Sequence, residues 1–174
     1  LSLAKKTACL PPKNFRPAGV VTWAQWSPDP PPFINTKRRR GRRAEGIRYE
    51  RKAHDYFEEV YEDSYVASPW FHFQEVGVEK VRWCQPDALI IRPHDGRIDL
   101  LEYKLQHTSD AWWQLRWLYL PVVSRLFPTD QWEFNICEVC KWYDCATIFP
   151  EKVSMCADLD QMKPGAFNMH IWKS

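Results

Sequence analysis

The 174-residue chain has no run of about 18 apolar residues, so no membrane span is expected. Lys5 and Lys6 in the stretch from Leu1 to Leu10 are not followed by a long apolar segment, so this start does not read as a secretion signal. No internal repeat is visible, which argues against a repeat architecture. Excess charge is also lacking. The formal net charge is only +2, and overall basicity does not force a nucleic-acid reading. The charge that is present is local. Lys37, Arg38, Arg39, Arg40, Arg42 and Arg43 put six cations into seven residues, and phosphate binding depends on such local density more than on the total.

The chain is rich in other respects. Apolar residues make up 45% and there are ten tryptophans, enough for the core of one domain. Six cysteines occur, at 9, 84, 137, 140, 145 and 156. An even count suits disulfides in a secreted protein, but without a secretion signal reduced thiols in the cytoplasm are expected.

Residues 1–36 hold seven of the fourteen prolines. Proline lacks an amide donor and resists helix and central strand. Residues 1–43 are therefore expected to be a Pro-rich and then basic arm, with Val20 to Trp26 able to pack onto a domain spanning 44–174. Residues 44–62 predict a helix, with Ile47, Ala53, Phe57 and Val60 as its apolar stripe and Glu50 breaking into it. Trp70 to Val78 predicts a strand. Lys80 to Arg92 predicts a second, interrupted by Pro86, and Arg97 to Leu105 a third, with a turn at Pro93 to Gly96 closing the last two into a hairpin. A helix over 110–127 follows, capped by Thr108 or Ser109, with Ala111, Leu115, Leu118, Val122 and Leu126 inward and Pro121 as a kink. Trp132 to Trp142 predicts a strand, and the tail a short helix near 155–162 and a strand near 167–172. The fold class is α/β, with a mixed central sheet flanked by helices.

The third strand carries the chemistry. Side chains alternate across a sheet, so Ile98, Leu100, Glu102 and Lys104 share one face, and Asp99, Leu101, Tyr103 and Leu105 the other. Two charges in so apolar a strand must be paired, solvated in a cleft, or bound to a metal. A hairpin turning at residues 93–96 pairs positions whose numbers sum to about 189, which sets Asp87 opposite Glu102. Adjacent carboxylates repel unless a cation or proton intervenes, and Mg2+ or Mn2+ prefers such oxygen ligands. An ion held by Asp87 and Glu102 would activate water for phosphodiester hydrolysis, with Lys104 orienting it or stabilising the phosphate and Glu50 as a third carboxylate.

Pro86-Asp87, fourteen intervening residues, and then Glu102-Tyr103-Lys104 resemble the PD-(D/E)XK nuclease superfamily over about residues 44–145. The resemblance implies a restriction-endonuclease-like core of helix, three strands, helix and strand. It implies that Asp87 and Glu102 bind the metal, that the Tyr103 carbonyl is a further ligand, that Lys104 is catalytic, and that Glu50 assists. In the RecB-like exonuclease branch the next helix carries Gln followed by Tyr four residues on. Gln114 matches, but Leu118 stands where the Tyr belongs and Tyr119 is one position late.

The expected activity is a metal-dependent deoxyribonuclease, with nucleic acid as partner, the cluster from Lys37 to Arg43 on the DNA backbone, and an oligomer or protein partner compatible with the small size. A cytoplasmic bacterial or phage-encoded protein is expected, or a nuclear one if eukaryotic. The alternative is a nuclease-like module that binds nucleic acid or protein without turnover, including as part of a phage assembly. Endonuclease and exonuclease, and DNA and RNA, are not separable at this level. Trp112, Trp113 and Trp117 are candidates for core or for base stacking, with the exposed one open to a partner or DNA. His54 and His107 border the motif but have the ordinary expectation of packed or solvent-facing histidines. Cys137, Cys140 and Cys145, with Cys156, have spacing that zinc sites use. Strand alternation, however, sends Cys137 and Cys140 to opposite sides, so buried thiols are expected.

Overall fold

The computed structural model describes residues 6–33, 42–143 and 147–174. Lys37 to Arg40 and Cys145 lie outside them. The elements in chain order are β1 (Thr7–Ala8), β2 (Val21–Ser27), α1 (Arg42–Tyr61), β3 (Tyr65–Ala67), β4 (Trp70–Glu75), β5 (Arg82–Cys84), β6 (Ala88–Arg92) and β7 (Arg97–Gln106), then α2 (Ser109–Gln114), a π-helical turn (Leu115–Tyr119), α3 (Leu120–Leu126), β8 (Glu133–Trp142), β9 (Thr147–Ile148), β10 (Val153–Met155) and β11 (Phe167–Ile171).

The architecture is α/β. A mixed six-stranded sheet runs in the order β10-β11-β8-β7-β6-β3, and a separate three-stranded sheet runs β2-β4-β5. β6 and β7 are antiparallel, whereas β7 and β8 are parallel. Parallel neighbours need a crossover, and α2, the π turn and α3 supply it. β7 lies at the centre, so its run from Ile98 to Tyr103 is buried on both faces. Ile98 and Leu100 meet Leu115, Tyr119, Val122 and Ile136 on one side. Leu101 and Tyr103 meet Tyr49, Ala53, Phe57, Cys137 and Val139 on the other. The face assignment expected from alternation therefore holds, and Cys137 and Cys140 lie in opposite layers.

The hairpin has the expected register. Ala88 pairs with Leu101, Leu89 with Leu100 and Ile90 with Asp99. Pro93–Asp95 form one 3-10 turn, and Gly96 closes it at φ 60°, a left-handed conformation that costs glycine little.

Three expectations need correction. The stretch from Lys80 to Arg92 is not one interrupted strand. β5 belongs to the small sheet and β6 to the large one, and the chain changes sheets at Gln85, Pro86 and Asp87. The buried row of α1 is Tyr49, Ala53 and Phe57, while Ile47 and Val60 are 37% and 51% exposed. Six residues at about 100° each put Ile47 roughly 120° around the helix from Ala53, off the packed face, and Val60 sits in the last turn. In the second helical segment Tyr119 is buried and Leu118 only half-buried, because the π turn inserts a residue before the inward position recurs.

Pro121 explains part of that distortion. It has no N–H for the carbonyl four residues back. That carbonyl, Trp117 O, accepts instead from Ala18 N at 2.8 Å. The N-terminal segment, expected as an arm, is partly woven in. β2 pairs with β4 and β1 with β9. Among the described residues, no helix is long and apolar enough to cross a membrane.

Candidate metal and nucleic-acid site

β7 delivers Glu102 and Lys104 to the face covered by α2 and the π turn, and the sheet change after Pro86 delivers Asp87 to the same end. Asp87 Oδ2 accepts from Tyr103 N at 2.7 Å, which fixes the carboxylate against β7 one residue past Glu102. Lys104 Nζ donates to Glu102 Oε1 at 2.9 Å and to Gln114 Oε1 at 3.0 Å. Asp87, Glu102, Lys104 and Gln114 thus meet.

The electrostatics are those of crowded carboxylates. Burial raises the Asp87 pKa well above its ordinary value of 3.8, and the neighbouring Glu102 and then Glu50 raise it further, against the Tyr103 amide and Lys104. Burial also raises Glu102, with Lys104 the main opposing influence. Burial alone would lower Lys104, but the Glu102 carboxylate overrides it and holds the ammonium charged. Glu102 is 4% exposed, and its Oε2 is buried with no hydrogen-bond partner. Perturbed carboxylates beside a held lysine are the pattern of a functional centre.

Glu50 is placed differently. It belongs to α1, which packs on the Tyr103 face of β7, and its Oε1 lies 3.7 Å from His54 Nε2. It acts on Asp87 and Glu102 through its charge. Among the described residues no group of three or more His, Cys, Asp or Glu side chains is arranged to hold a metal. The acidic feature is a pair. Arg42 and Arg43 are the first two residues of α1, the end of a helix at which cations are unfavourable.

Four further residues belong to this neighbourhood. Tyr119 is buried, and after burial itself the largest influences raising its pKa are Glu102 and Asp87. The π turn between Gln114 and Tyr119 makes the late tyrosine the inward residue, in the core layer with Leu100 and Leu115. Glu138 is the register partner of Glu102 on β8. It is fully buried, with Oε2 2.9 Å from His107 Nδ1 and Oε1 unpartnered. Its signal in the sequence is a lone carboxylate within the apolar run from Ile136 to Cys140. His107 is a buried partner of Glu138 and of Thr147 Oγ1 at 3.1 Å. His54 bonds the Tyr65 hydroxyl at 2.7 Å, which bonds the Tyr103 hydroxyl at 2.6 Å, so it braces the middle residue of the motif.

No protein-family model, characterised protein or solved structure matches this chain. Its site must be read from its own chemistry. Trp112 is buried and donates to Glu151 at 2.6 Å, Trp113 donates to Cys9 O at 3.2 Å, and Trp117 is the exposed member of the three, at 45%.

Proposed function

We propose that the protein is a divalent-metal-dependent nuclease, with a restriction-endonuclease-like core and DNA as the favoured substrate. The observation that carries this is the adjoining pair of Asp87 and Glu102, with Lys104 held between Glu102 and Gln114. Two carboxylates with raised proton affinity, one with an orphaned buried oxygen, are a cost to the fold that a cation removes. The donors are all oxygen: the Asp87 and Glu102 carboxylates, the Tyr103 carbonyl, and Glu50 through water. Such a set fits Mg2+ or Mn2+, and Mg2+ commonly uses one or two carboxylates with waters and substrate phosphate completing its shell.

When bound, the ion lowers the pKa of a coordinated water and neutralises charge developing on the phosphate. The protein's own groups do the rest. The Tyr103 amide orients Asp87, and Gln114 and Glu102 hold the Lys104 ammonium as a fixed point charge. From there Lys104 orients the attacking water or stabilises a phosphate oxygen.

A cationic surface supports a phosphate-bearing substrate. Arg48 and Lys52 on α1 line a hollow with Lys141 and Trp142 at the end of β8, and among the described residues Glu45 is the one acidic side chain lining it. Lys141 and Lys173 both place Nζ over the Trp142 ring, at 5.6 and 5.3 Å from its centroid. In sequence, the cluster from Lys37 to Arg43 runs into the start of α1 and adds to the cations proposed for phosphate binding.

The test is cleavage of linear, closed circular and single-stranded DNA with Mg2+ or Mn2+. Glu102→Gln and Lys104→Met should each lose roughly 100-fold or more of the rate. Cleavage that survives both changes undiminished would sink the proposal, and nicking of the closed circle separates endonuclease from exonuclease. A binding-only reading rests on the same cationic surface, which needs no turnover. Binding without cleavage across both metals and all DNA forms would select it.

A further inference from the structure

The small sheet buries one face and leaves the other open. Phe71, Phe73 and Cys84 point into the core, 0 to 4% exposed. By alternation Trp70 and His72 of β4 and Trp83 of β5 stand on the opposite face, and each is only partly buried. Trp23 of β2 joins them. Its ring lies 5.5 Å from His72, His72 lies 4.8 Å from Trp83, and Trp83 lies 6.4 Å from Trp70. Four rings therefore form one row across three strands.

An open cleft of about 580 Å³ adjoins the row. Trp70, Trp83 and Phe33 line it together with Arg16, Lys80 and Arg82, and among the described residues no carboxylate lines it. Behind it Glu75 is buried, bonded to Arg82 at 3.1 Å and paired with Arg16 at 3.9 Å, which leaves the exposed Lys80 as the cation at the rim with no ion pair among the described residues. Flat rings beside a cationic rim suit unpaired bases on a phosphate chain. A duplex hides its base faces, whereas a single strand offers them for stacking.

The row is also tied to the acidic pair. Trp83 precedes Asp87 by four residues. Gln85 Nε2 donates to Ser68 O at 2.8 Å, and Ser68 N donates to Asp87 O at 2.7 Å, so the end of β5 and Asp87 are held by one loop. We propose that the open face of the β2-β4-β5 sheet is a single-strand nucleic-acid track that feeds an unpaired strand toward Asp87 and Glu102. The feeding role rests on the nuclease proposal; the binding role does not.

The experiment is fluorescence anisotropy in EDTA, where no turnover occurs. The probes are labelled oligothymidine and oligouridine of about 12 nucleotides, and a blunt duplex of the same length. At least one single strand should bind more tightly than the duplex. Trp70→Ala and Trp83→Ala should each weaken it roughly fivefold or more, while Trp117→Ala leaves it unchanged. Lys80→Glu, at an exposed site, should weaken binding and reduce its salt dependence, and it serves if a tryptophan variant fails to fold. Duplex bound as tightly as single strand, no binding of either oligonucleotide, or full affinity in folded Trp83→Ala and Lys80→Glu would each overturn the proposal. A protein partner on this face would appear as the second of these. Because metal is absent, loss of the nuclease proposal would leave this result standing.

Discussion

Asp87→Asn should stabilise the metal-free protein, although it removes a residue at the centre of the proposed site. The asparagine carbonyl can still accept from Tyr103 N, the 2.7 Å bond that holds Asp87 in place. What disappears is a negative charge beside Glu102. Leaving a polar group buried and uncompensated costs about 1–3 kcal/mol, and Asp87 limits the cost by retaining a proton to higher pH. A gain of about 1–2 kcal/mol at pH 8 follows, which in a chain of this size is roughly 2–8 °C in Tm.

The pH dependence has a definite sign. Unfolded, the carboxyl titrates near 3.8, and in the fold its pKa is raised, by burial first and then by Glu102. Below the unfolded value both states carry the proton and the variant has no advantage. As pH rises through the folded value the wild type loses stability, so the variant's advantage grows and then levels off. Divalent ion should reverse the ranking. At 100-fold excess over Kd a ligand adds about 2.7 kcal/mol, roughly 5–11 °C, to the wild type and little to the variant. Thermal melts followed by tryptophan emission, in EDTA and in Mn2+ from pH 4 to 9, read all of this. A variant that melts lower than wild type in EDTA at pH 8, or that gains as much from Mn2+, would refute the reasoning.

Two further outcomes concern the frame around the site. Glu138→Ala leaves His107 Nδ1 buried without its partner, and an unsatisfied buried polar group costs about 1–3 kcal/mol; a chemical denaturation midpoint within error of wild type would contradict the pairing. Pro121→Ala restores an N–H that competes with Ala18 for Trp117 O, so the N-terminal segment should be cut faster in limited proteolysis around residues 10–18, and an unchanged cleavage rate would count against that anchor.

Much of this site is legible in the chain because it depends on local rules. Alternation fixes the faces of Glu102 and Lys104, and a short turn fixes their register with Asp87. What depends on distant pairing is not legible. Pro86 marks an interruption, but nothing near it says that β5 and β6 join different sheets. Glu138 reaches Glu102 through a parallel register set across an intervening helical crossover, with no local signal for the match. Tyr119 is displaced by a π turn, for which Pro121 is the only hint, and that proline equally predicts a plain kink. The tryptophans weighed for stacking, 112, 113 and 117, lie on that helix. The exposed ring row is instead assembled from the neighbouring strands β4 and β5 and from β2, which lies far earlier in the sequence.

The turn at Pro93 to Gly96 acts as a counter. Every pair in the β6–β7 hairpin sums to one number, and that number is set by where the turn is centred. If one residue were inserted and the turn kept its length, the extra residue would enter the ladder and slide β7 by one position against β6. Asp87 would then face the Tyr103 parity rather than the Glu102 parity. An exposed turn at the far end of the hairpin would in this way decide whether the two carboxylates ever meet.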